Sequence, residues 1–152
     1  AAIARGIALL NESLRRSCAQ ADAYQLQAAI AAEHARAASY DDTDWTEILR
    51  LYGLLVSIAP SSAAGLGRVV AAAEAADAAT GLAMLADLPT SPRWHAVRAE
   101  LLAREGRYAE AARELAESLD GPGSQPERQH RERRREAFLQ LAVPTAPDER
   151  VP

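Results

Sequence analysis

Lysine is absent from these 152 residues, and cysteine, methionine and phenylalanine occur once each. Each shortage excludes something. A single cysteine, Cys18, leaves no disulfide within the chain, so the fold rests on its own core and a reducing compartment is expected. No run of about eighteen apolar residues occurs, so no membrane-spanning helix is expected. The opening AAIARGIALL lacks the charged-then-apolar layout of a signal peptide, which makes a cytoplasmic protein the expectation. All 17 basic residues are arginine, yet acids outnumber them and the formal net charge is −4. A free-standing nucleic-acid binder needs a clustered positive surface, so direct nucleic-acid binding by this chain is not expected. Aromatic and β-branched residues are scarce, which disfavours a sheet.

What is abundant is alanine, about a quarter of the chain, the residue that costs least in a helix. Apolar periodicity and stop signals predict about eight helices. The first carries Ile3, Ile7, Leu10 and Leu14 as one stripe. The second runs from about Tyr24 to Ser39. The third opens on Asp44 as N-cap with Glu47 at the capping-box position, presents Trp45, Ile48, Tyr52 and Leu55 on one face, and stops before Pro60. Further helices are expected over about 62–76, 79–87, 92–104, 108–119 and 126–142. Residues 1–142 read as one helical domain and the Pro-rich VPTAPDERVP, 143–152, as a frayed tail.

The segments repeat. In EGRYAEAARELAESL, Gly106, Tyr108, Ala111 and Leu115 fall at the spacings of a tetratricopeptide hairpin, where Gly ends one helix and a small Ala lets the next pack closely. Trp45, Ile48, Tyr52, Leu55 and Pro60 reproduce the second-helix pattern, and Gly81, Leu82, Leu85 and Leu88 give a degenerate middle copy. Pro60, Pro92 and Pro126 lie 32 and 34 residues apart, near the period of about 34 for this repeat. The fold class expected is all-α, a tetratricopeptide-like right-handed superhelix of about eight antiparallel helices.

The order YQLQAAIAAEHA, DTDWTEILRLYGLL, GRVVAAAEA and RWHAVRAELLAREGRYAEAA resembles the C-terminal tetratricopeptide-like extension of certain bacterial extracytoplasmic-function RNA polymerase sigma factors. The similarity runs from Ile3 to Leu141. It implies a non-catalytic domain that modulates the sigma factor through contacts with its promoter-recognition regions, RNA polymerase or a signalling partner. Two places depart from the pattern. Gly67 precedes Arg68 where the family usually has Asn, and His130 and Arg131 stand where an aromatic and an aliphatic residue are usual.

No constellation of catalytic residues is evident, and no cofactor or metal is implied. Asp41, Asp42 and Asp44 lack the further ligands of a calcium loop and read as capping residues. His34, His95 and His130 are far apart and form no two-histidine zinc motif. Tyr24 and Gln27 share a helix face with Gln25 to the side, a polar edge that would meet the first helix and dock on a partner. Arg93, Glu100 and Arg104 fall on the first-helix face that lines the groove of tetratricopeptide arrays. With Arg68 and Arg98, which lie in segments carrying the resemblance, and the histidines His34 and His95, these residues make up the candidate partner contacts. The stretch RQHRERRREAF interleaves Arg128, Arg131, Arg133, Arg134 and Arg135 with Glu127, Glu132 and Glu136, which predicts pairing along an exposed helix. A second reading is a helical-repeat domain whose groove senses a peptide or small ligand.

Overall fold

A computed structural model describes residues 22–143. The described chain is all-α: seven helices and, among these residues, no strand. The expected helix carrying Ile3 to Leu14 and the expected tail both lie outside the described residues, apart from Val143. By contact the chain divides into two compact units with the boundary after Ala75.

The first unit holds α1 (residues 22–36), α2 (Trp45–Ile58) and α3 (Ser62–Ala75). The helix α1 stops three residues short of the expected Ser39. Ser39 is taken by a turn: its hydroxyl donates to Asp42 Oδ2 at 2.8 Å and its carbonyl accepts from the Asp42 backbone N–H at 3.2 Å. Serine side chains compete with the helix for backbone partners in this way. Asp44 is the N-cap of α2 as expected, accepting from the Glu47 N–H at 2.9 Å. The reciprocal half of the capping box is not made, because the Glu47 carboxylate is held by Arg50 at 2.8 and 2.6 Å. Ala23 and Ile30 of α1, Ile48, Leu51 and Leu55 of α2, and Ala64 and Ala71 of α3 form one buried cluster. Fully burying side chains such as Ile48 or Leu55 stabilises by about 1.5–3 kcal/mol each.

On α3 small residues let α2 come close. A Cβ built on Gly67 would lie 2.4 Å from two ring carbons of Tyr52. The glycine that stands where the resemblance expects asparagine therefore has a local cause: the Tyr52 ring occupies the space a side chain would need.

The second unit holds α4 (Ala78–Leu85), α5 (Pro92–Arg104), α6 (Tyr108–Asp120) and α7 (Gln125–Ala142). Three starts are set by caps: Asp77 accepts from the Thr80 N–H at 2.7 Å, and Ser91 from the Trp94 N–H at 3.1 Å, with Pro92 opening the helix. Ser124 and Glu127 form the reciprocal capping box absent from α2. Helix α5 stops ahead of Gly106, the glycine expected to end it. Gly106 has φ +74°, its N–H donates to Ala103 O at 3.0 Å, and the Arg107 N–H donates to Leu102 O at 2.9 Å. That pair of bonds is a Schellman closure, and its left-handed residue is the position where glycine costs least.

Successive helices α4, α5, α6 and α7 pack against one another in order. Their core joins Ala99 and Leu102 to Ala111, Ala112 and Leu115, and is closed by Phe138. The small Ala111 is fully buried between neighbouring helices.

Candidate functional site

The ten expected contact residues fall in two groups. Tyr24, Gln25, Gln27 and His34 lie on α1 and Arg68 on α3; Arg93, His95, Arg98, Glu100 and Arg104 lie on α5. Each group has its own chemistry.

The inner side of α1 is fixed by Ala23 and Ile30, which enter the core. The opposite side presents Tyr24, Ala28, Ala31 and Ala35, at steps of four, three and four, all exposed, with Gln25 and Gln27 exposed on its flanks. Tyr24 is 65% exposed. From Ala23 through Ala32 there is no charged residue. A surface helix ordinarily carries its charge on the outer face, and the outer side of α7 does so with Glu132, Arg133, Arg135 and Glu136. Interface cores are depleted of charge and enriched in tyrosine. The contact expected between Tyr24, Gln27 and the preceding helix lies outside the described residues.

At the far end of α1, His34 is drawn into the turn. Its ring meets Trp45 edge-on with centroids 5.3 Å apart, and Tyr40 packs on the same indole at 5.3 Å. Asp44 and Trp45 thus anchor the turn by a cap and by ring packing, while Tyr24 stands near the opposite end of α1. Arg68 is exposed on α3.

On α5 the polar residues are engaged within the unit. Glu114 of α6 lies between His95, with Nδ1 to Oε2 at 2.7 Å, and Arg98, which donates to Oε1 at 2.9 Å. Trp94 supports this cluster from below: its indole N–H donates to Leu85 O at 3.0 Å, His95 meets it edge-on, and the Arg98 guanidinium lies 5.6 Å from its ring centroid. Glu100 receives both forks of Arg134 from α7, and Arg134 also stacks over Phe138 at 4.6 Å. Donating to the Glu100 carboxylate holds the Arg134 guanidinium above its ordinary value, against the opposing effect of burial. Arg93 and Arg104 are exposed.

Glu114 was not among the candidates, although a signal for it exists. Arg98 and Glu114 stand eight residues either side of Gly106, so an antiparallel hairpin turning there sets them opposite each other. The basic stretch needs a correction. Two of its arginines reach beyond α7 to the end of α6: Arg128 donates to Leu119 O at 2.8 Å and Gly121 O at 3.2 Å, and Arg131 to Ser118 O at 3.4 Å. These arginines satisfy the carbonyls left open at the end of α6, where the helix dipole also favours a cation. Arg131 is half-buried in this role. Ser118, fully buried, donates to Pro92 O at 2.6 Å and ties the same end to the start of α5.

Among the described residues no group of three or more His, Cys, Asp or Glu side chains is placed to hold a metal ion, and no helix is long and apolar enough to cross a membrane. No protein-family profile matches the chain, and no solved structure matches it significantly. An uncharacterized protein of Rhizobium meliloti (strain 1021) is 36% identical over 113 residues, covering 72% of this chain and 26% of that protein. The chain therefore spans about a quarter of the length of that curated relative.

Proposed function

We propose that the chain is a tetratricopeptide-like, non-catalytic regulatory domain of an extracytoplasmic-function sigma factor, working through contacts with the sigma regions, RNA polymerase or a signalling protein. The observation that carries an interaction role is the exposed, uncharged side of α1 bearing Tyr24, Gln25 and Gln27. A face without charge is desolvated at little cost, and its glutamines retain hydrogen bonds for specificity. The paired helices and the Schellman turn at Gly106 support the repeat class, and the sigma-factor assignment rests on the sequence resemblance. The relative's greater length suits a domain that serves a larger polypeptide. A groove sensor built on α5 has less support, because His95, Arg98 and Glu100 are already engaged by Glu114 and Arg134.

The test uses the full-length polypeptide in transcription from its own promoter, with Tyr24→Ala and Gln27→Ala combined. Exposed positions are expected to change stability by no more than about 0.5 kcal/mol, while transcription changes several-fold. Wild-type transcription from the double variant, or a reading frame without promoter-recognition regions, overturns the proposal.

A further inference from the structure

We draw no further inference here: the strongest candidate, the aromatic and acidic tip of the α1–α2 hairpin formed by His34, Tyr40 and Trp45 beside Asp41 and Asp42, carries none because Asp42 and the neighbouring Asp44 brace the turn itself and nothing in the structure shows what covers the rings.

Discussion

The phenol ring of Tyr52 lies across the backbone of Gly67, with its hydroxyl oxygen 2.7 Å from where a Cβ at position 67 would stand. Two effects of opposite sign meet at this contact. Replacing a mid-helix glycine with alanine gains about 1 kcal/mol of helix propensity, whereas forcing a ring out of a packed site costs about 1–3 kcal/mol. Gly67→Ala is expected to be neutral to destabilising by about 1–2 kcal/mol in the wild-type protein. In a Tyr52→Ala background the same change becomes stabilising. Denaturant unfolding of the four proteins of this double-mutant cycle measures the coupling; additivity would show that the ring relaxes freely.

The N-cap of α2 separates two roles that its spacing suggests are one. Asp44→Ala is expected to lose about 1 kcal/mol, and Asp44→Asn little, because either side chain accepts from the Glu47 N–H. Glu47→Ala is expected to cost less than Asp44→Ala, since Glu47 pairs with Arg50 at the surface rather than closing the box. Thermal unfolding ranks the three. A Glu47 loss equal to that of Asp44 would restore the capping box.

Acid sensitivity follows from two caps. The Thr80 hydrogen bonds hold the Asp77 carboxyl below its ordinary value, and the Ser124 backbone and hydroxyl do the same for Glu127. Both groups have depressed folded values, so their stabilisation is fully present above the ordinary carboxylate range, about pH 4, and is lost as pH falls through the lower folded values. Asp77→Asn and Glu127→Gln cannot titrate. Each is expected to show a smaller fall in melting temperature between about pH 6 and about pH 3 than the wild type; equal slopes would contradict the assignment.

Two arginines five residues apart on α7 should behave differently. Arg128→Ala uncovers the Leu119 and Gly121 carbonyls and is expected to cost about 1–2 kcal/mol. Arg133→Ala, on the exposed side, should stay within about 0.5 kcal/mol. Matching losses in chemical denaturation would mean that the Arg128 bonds to the end of α6 add nothing to stability.

Legibility in the sequence follows the range of the force involved. Asp44 and Gly106 were readable because a cap and a left-handed closure depend on a few neighbouring residues. Ser39 was not: Ala37 and Ala38 favour continuing α1, whereas in the structure Ser39 bonds to Asp42 through both its hydroxyl and its carbonyl in a turn. On α7 the alternation of Arg and Glu pointed to local pairing, but reaching the end of α6 depends on how the two helices are registered. The α5 residues show the same gap. Spacing sets Arg93, Glu100 and Arg104 on one side of the helix, whereas the pairing of His95 and Arg98 with Glu114 and of Glu100 with Arg134 depends on the neighbouring helices. The uncharged side of α1 was legible as unusual residues, Tyr24-Gln25-Leu26-Gln27, before it was visible as a surface.

The row Arg128, Arg131, Arg134 and Phe138 also decides where this polypeptide can be cut. By hydropathy alone α7 looks like a dispensable solvent-facing appendage, the kind removed first when fragments are trimmed for expression. Ending the chain before Arg128 would instead uncover the Leu115 side of the core, release Glu100, and leave the terminal carbonyls of α6 to water. The most hydrophilic helix is thus the one that closes the core of the second unit.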